Sequence, residues 1–125
     1  MARILVVEDD FAISRNLEAL LKAEGYSVTL AADGQAAVEQ ARRQMPDLVL
    51  LDVLLPKLGG FDVCRILKSD PKTKGIKILV LTGLGTMGDV EAAYSAGADD
   101  YLMKPYEPAR LMRKIQKVLR GGAAA

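Results

Sequence analysis

Apolar side chains run along this chain in two alternating rhythms. Ile4-Leu5-Val6-Val7, Leu48-Val49-Leu50-Leu51 and Ile78-Leu79-Val80-Leu81 are unbroken apolar runs, and Tyr101-Leu102-Met103 is a shorter one. Continuous runs of this length, rich in Val, Ile and Leu, predict strands buried on both faces of a parallel sheet. Ser27-Val28-Thr29-Leu30-Ala31 instead alternates polar and apolar, which predicts a more exposed strand at a sheet edge.

Between these runs the period lengthens to that of a helix. Ile13, Leu17, Leu20 and Leu21 form one stripe, closed by Gly25. Asp33-Gly34 leads into a second helix carrying Ala37, Val38 and Ala41, which must stop before Pro46. A third is predicted from Phe61 to Ser69 with Val63, Ile66 and Leu67 inward, before Asp70-Pro71 and Gly75 break the chain. Val90, Ala93, Tyr94 and Gly97 define a short fourth helix. The fifth runs from about Glu107 to Arg120, with Leu111, Ile115, Val118 and Leu119 on its buried face and Glu107 in its first turn. Five βα units in strict alternation predict parallel strands, right-handed crossovers and helices on both faces, without fixing the strand order.

Composition narrows the picture only a little. A chain of 125 residues, 50% hydrophobic and 26% charged, is one ordinary globular domain. No run approaches the ~20 apolar residues of a membrane span, and no signal peptide is evident, so no membrane association is expected. The lone cysteine, Cys64, cannot close an internal disulfide, which fits a buried structural thiol and a cytoplasmic location. A net charge of +1 gives no reason to expect direct nucleic-acid binding, and the absence of histidine removes imidazole chemistry. The closing Gly121-Gly122-Ala123-Ala124-Ala125 reads as a disordered tail, linker stub or cloning remnant, leaving 1–120 as the domain.

Chemistry gathers where the strands end. The first run is followed by Glu8-Asp9-Asp10, and Asp52, Thr82 and Lys104 end the other three apolar runs. Open α/β sheets bind ligands outside the carboxyl ends of their strands, so carboxylates, a hydroxyl and an ammonium are expected to converge there. Glu8, Asp9 and Asp52 would repel one another unless neutralised, and an oxygen-only donor set beside a phosphate site favours Mg2+.

The ordered set of motifs resembles the receiver domain of bacterial two-component response regulators over residues 3 to about 120. The resemblance rests on Ile4-Leu5-Val6-Val7-Glu8-Asp9-Asp10, on Asp47-Leu48-Val49-Leu50-Leu51-Asp52 with Pro56 and Gly60, on Leu81-Thr82, and on Gly97-Ala98-Asp99-Asp100-Tyr101-Leu102-Met103-Lys104-Pro105. It implies an α/β, flavodoxin-like (βα)5 three-layer sandwich with strand order 2-1-3-4-5. By the same resemblance, Asp52 is the phosphoacceptor, taking its group from a sensor histidine kinase, a phosphotransfer protein or a small acyl phosphate. Asp9, Asp52 and the backbone carbonyl of Leu54 would ligate Mg2+, with Glu8 acting through water. Thr82 and Lys104 would contact phosphoryl oxygens. Thr82 and Tyr101 would form a switch that reshapes the face built by the fourth helix, fifth strand and fifth helix. Such a regulator catalyses only its own phosphorylation and dephosphorylation. The same face could support a homodimer after phosphorylation, with Glu91, Asp99, Asp100, Arg110 and Arg113 pairing across it, and a C-terminal output domain could follow.

Two positions depart from the family pattern: Gly59 stands where an acid is common, and the Thr82 loop reads Thr82-Gly83-Leu84-Gly85-Thr86-Met87-Gly88. Leu54 and Leu84 are expected to flank the attacking water and slow loss of the phosphoryl group. Three other readings compete. Gly83-x-Gly85-x-x-Gly88 nominally matches a dinucleotide fingerprint, but that fingerprint belongs after a first strand. An aspartyl phosphatase would want an acid at position 54. A degenerate receiver, acting only as an interaction module, would have little use for an intact acid set.

Overall fold

The computed structural model describes residues 2–53, 55, 57–83 and 87–121. The elements alternate strictly: β1 (Arg3–Val7), α1 (Phe11–Ala23), β2 (Ser27–Ala31), α2 (Gly34–Gln44), β3 (Leu48–Asp52), α3 (Gly60–Ser69), β4 (Lys77–Thr82), α4 (Met87–Ser95), β5 (Asp100–Met103) and α5 (Pro108–Leu119). All strand pairs are parallel, in the order β2-β1-β3-β4-β5, which is the flavodoxin-like arrangement.

Strand alternation splits the core into two layers. Ile4, Val6, Leu48, Leu50, Leu79, Leu81 and Leu102 face α1 and α5, meeting Leu17, Leu21, Leu111, Met112, Ile115 and Val118. Leu5, Val7, Val49, Leu51, Ile78 and Val80 face the other way, against Ala37, Val38 and Ala41 of α2 and Val63, Cys64 and Leu67 of α3. Every residue of β3 is buried, as a central strand covered on both faces requires. Truncating any of its leucines to alanine should cost about 2–5 kcal/mol. β2 lies at the edge with its polar positions exposed.

The helical stripes shift slightly from their predicted positions. Ile13 is exposed, and the buried face of α1 is set by Ser14, Leu17 and Leu21. In α3, Cys64 rather than Ile66 is fully buried, and burial pushes its thiol up to about 11, so it is a packing residue rather than a nucleophile. Met112 enters the core of α5 while Leu119 is half-buried. Glu107 is the N-cap of α5, one position outside the first turn expected for it. Tyr94, expected inward, is 48% exposed because it stands at the rim where α4 meets β5.

Turn chemistry closes the elements. Gly25 adopts φ +93°, and the amides of Gly25 and Tyr26 donate back to Lys22 and Leu21 to end α1. Asp33 caps α2 by accepting from the Ala36 amide at 2.8 Å.

Candidate functional site

The parallel register brings the four strand ends to one edge. Val7 is aligned with Leu51, Asp52 with Leu81 and Thr82 with Met103, so Glu8, Asp52, Thr82 and Lys104 follow at similar heights. The Lys104 amide donates to the Thr82 carbonyl at 2.8 Å, and the Val53 amide donates to Leu81 at 3.2 Å, extending the ladder past the last strand residues. The Lys104–Pro105 peptide is cis.

Glu8, Asp9 and Asp52 each offer a carboxylate oxygen within 4.8 Å of the others. Glu8 and Asp52 are buried, at 5% and 7% exposure, whereas Asp9 is exposed. The Lys104 ammonium lies 3.4 Å from Asp52 and 3.8 Å from Glu8. Lys104 thus meets the two buried acids of the cluster, with the exposed Asp9 beside them. The Glu8 carboxyl is pushed up to about 7, first by burial and then by the Asp52 carboxyl beside it. The Asp10 amide and Lys104 act in the opposite direction without cancelling this. Glu8 Oε1 accepts from the Asp10 amide at 3.1 Å, while its buried Oε2 meets the geometry of no hydrogen bond among the described residues.

The neighbouring acid, Asp10, has a different job. It is the N-cap of α1, accepting from the Ile13 amide at 3.0 Å, so the third acid of the run starts the helix. Asp9, between the two, brings a carboxylate oxygen to the cluster.

Behind Asp52 the chain doubles back so tightly that Gly60 admits no side chain. A Cβ there would collide with the Asp52 carbonyl and lie 2.7 Å from Val53 Cα. The Gly60 amide donates to the Val53 carbonyl at 2.9 Å, locking α3 against the end of β3. Leu54 and Leu84 lie outside the described residues, as do Gly85 and Thr86.

Thr82 is 2% exposed at the tip of β4. Tyr101 is half-buried on the adjoining strand, with its ring edge-on to that of Tyr94 at 5.8 Å. Tyr106 was not foreseen. It is half-buried, and its phenol is pushed above its usual value by burial and by the negative field of Glu8 and Asp52. Its place two residues after Lys104 was the available signal.

Asp99 and Asp100, expected to be available for pairing between copies, are committed within the chain. Asp99 pairs with Lys68 at 2.9 Å and accepts from the Ile78 amide at 2.8 Å. Asp100 is buried and pairs with Lys114 at 3.0 Å. The tight turn at Gly97 draws α4 against the Lys68 side chain, which places Asp99 beside that ammonium.

The donor set fits a hard divalent cation: the cluster is all oxygen, it carries excess negative charge, and a buried Glu8 oxygen meets the geometry of no hydrogen bond among the described residues. After β1 the chain presents acids and a helix cap rather than a glycine turn, the opposite of a dinucleotide cradle. Among the described residues, no helix is long and apolar enough to cross a membrane.

The family model for the response regulator receiver domain matches residues 4–116. The chain is 44% identical to the response regulator PleD of Caulobacter vibrioides over 119 residues, covering 95% of this chain and 26% of that protein. It is 42% identical to the DNA-binding response regulator MtrA of Mycobacterium tuberculosis, covering 94% of this chain and 50% of that protein. It thus spans between a quarter and half of the length of these relatives. Among solved structures, the receiver domain of sensor histidine kinase PA1611 from Pseudomonas aeruginosa superposes with a TM-score of 0.88 at 39% identity, covering 95% of this chain and 98% of that one. That structure has a magnesium ion coordinated in its active site cleft. The chemotaxis response regulator CheY4 of Vibrio cholerae superposes with a TM-score of 0.89 at 30% identity, covering 94% and 98%.

Proposed function

Since this chain belongs to the response regulator receiver domain family and is a regulatory switch rather than a catalytic enzyme, we propose that Asp52 is its phosphoacceptor. The observation that carries this reading is the Glu8–Asp9–Asp52 cluster with the Lys104 ammonium 3.4 Å from Asp52. An Asp52 oxygen attacks phosphorus in line. The P–O bond to Asp52 forms as the bond to the departing histidine nitrogen or acyl oxygen breaks. Transfer of this kind needs positioning and neutralisation of the equatorial oxygens more than acid–base work. Lys104 pairs with one phosphoryl oxygen as its contact with Asp52 is replaced. The Thr82 hydroxyl donates to another.

Asp9, Asp52 and the Leu54 carbonyl would hold Mg2+, with Glu8 reaching it through water. When bound, Mg2+ supplies positive charge against the acids and the transferred oxygens. Thr82 then couples the phosphoryl group to Tyr101, and the face formed by α4, β5 and α5 changes shape. The donor is a sensor histidine kinase or a phosphotransfer protein, and the setting is the cytoplasm. An output domain, DNA-binding in MtrA by that protein's name, belongs to the same proposal.

Incubation with a small acyl phosphate and Mg2+ tests the reading. One phosphoryl group should be added to the intact protein, and EDTA or Asp52→Asn should prevent it. Retention of the group by the Asp52→Asn protein would place the acceptor elsewhere.

A further inference from the structure

A second concentration of polar contacts, away from the acid cluster, lies around Asp100 at the start of β5. This carboxylate is only 4% exposed, yet Oδ1 accepts from three elements at once. The Tyr101 amide donates from its own strand at 2.8 Å, the Lys114 ammonium from α5 at 3.0 Å, and the Tyr94 hydroxyl from α4 at 3.3 Å. Oδ2 is buried without a hydrogen bond. The same ammonium stands 5.2 Å from the centre of the Tyr101 ring, and the Tyr94 ring meets Tyr101 edge-on at 88°. Tyr101 is therefore bounded on two sides by groups that Asp100 itself holds in place.

We propose that Asp100 and Lys114 form a latch that holds the Tyr101 ring in its resting position, with Tyr94 as the third point of the clasp. This rests on the reading of Tyr101 as the switch residue. A charge pair with a buried carboxylate and a half-buried ammonium fixes geometry because departure of the ammonium would strand Asp100 in a low-dielectric setting. The ammonium over the ring adds a cation–π contact that is lost if Tyr101 rotates away. The latch thus sets how far the resting equilibrium lies from the signalling position, and so how much of the change remains for phosphorylation to drive. Lys114 makes no contact with the acid cluster among those described, so its loss should leave phosphoryl transfer intact.

The test places 3-fluorotyrosine at Tyr101, with the other three tyrosines unlabelled, and reads its fluorine NMR shift before and after treatment with a small acyl phosphate and Mg2+. The Asp100→Asn/Lys114→Met double variant removes both charges together, so no unpaired charge is left buried. Its unphosphorylated signal should lie several-fold further toward the phosphorylated position than the parent's, with unchanged incorporation at Asp52. Tyr94→Phe removes only the hydroxyl donor and should move the signal the same way by less; it decides the matter if the double variant does not fold. A parent signal that moves on phosphorylation while the variants match the parent in both states would overturn the latch alone. A parent signal that does not move would overturn the switch assignment and the latch with it.

Discussion

Two buried carboxylate sites in this molecule are solved in opposite ways. At the strand tips, Glu8 and Asp52 meet the Lys104 ammonium at 3.8 and 3.4 Å with Asp9 clustered beside them, and burial together with the Asp52 carboxyl pushes the Glu8 carboxyl up to about 7. At the start of β5, Asp100 has an ammonium of its own at 3.0 Å plus two further donors. A carboxylate paired one-to-one and hydrogen-bonded holds elements together. Three clustered carboxylates repel one another, and an all-oxygen set of this kind suits a hard cation. The same residue types thus give architecture in one region and a reactive site in the other, and the ratio of acids to bases decides which.

Removing the lysine from each site should separate these roles. Lys104→Ala should lower phosphoryl incorporation from a small acyl phosphate by on the order of 100-fold, since it deletes the charge that meets the transferred oxygens. Lys104 is partly exposed, so the effect on chemical denaturation should be smaller, about 1–2 kcal/mol. Lys114→Met should do the reverse, destabilising the fold by about 3 kcal/mol through the stranded Asp100 while incorporation stays within a factor of two of the parent. Comparable losses of incorporation in the two variants would erase the distinction.

Asp9→Ala should sharpen the contrast. Removing an exposed acid from the crowded cluster relieves repulsion, so the metal-free protein should be as stable as the parent or more so, whereas Mg2+ affinity measured calorimetrically should fall by about tenfold or more. Asp10→Ala is the control one residue away. It should destabilise through loss of the α1 cap, by about 1 kcal/mol, with little effect on Mg2+.

A separate effect should appear in the pH dependence of the metal-free protein. Folded Glu8 holds its proton to about pH 7, while the unfolded chain releases it near 4.5. The folded state binds more protons across that window, so this group's contribution to stability is complete below pH 4.5 and is lost as pH rises through 7. Glu8→Gln should flatten that part of a urea-denaturation series. A slope unchanged by the substitution would assign it to other groups.

The strands were legible because strands buried on both faces need continuous apolar runs, and these runs are short, rich in Val, Ile and Leu, and set between helical stripes. Asp52, Thr82 and Lys104 were legible for a related reason: a polar residue ending such a run must sit at the sheet's edge. What stayed hidden was partnership across elements. Glu8, Asp9 and Asp10 differ in sequence only by position, yet one is buried, one exposed and one a helix cap. Asp99 and Asp100 look like a solvated acidic pair until β5 and the turn before it set them against Lys68 and Lys114, respectively, on different sides of the sheet. Ile13 fits the stripe of α1 by spacing, but the first turn of that helix projects where the core no longer reaches.

The account stands on Asp52 being the residue that takes the phosphoryl group, and chemical trapping reads this directly. The protein is treated with a small acyl phosphate and Mg2+, then reduced with borohydride, which converts an aspartyl phosphate to homoserine. Peptide mass spectrometry should find homoserine at position 52 and only in the sample given both reagents. Homoserine at Asp9 or another acid, or an unmodified position 52 in a protein that has gained a phosphoryl group, would contradict it.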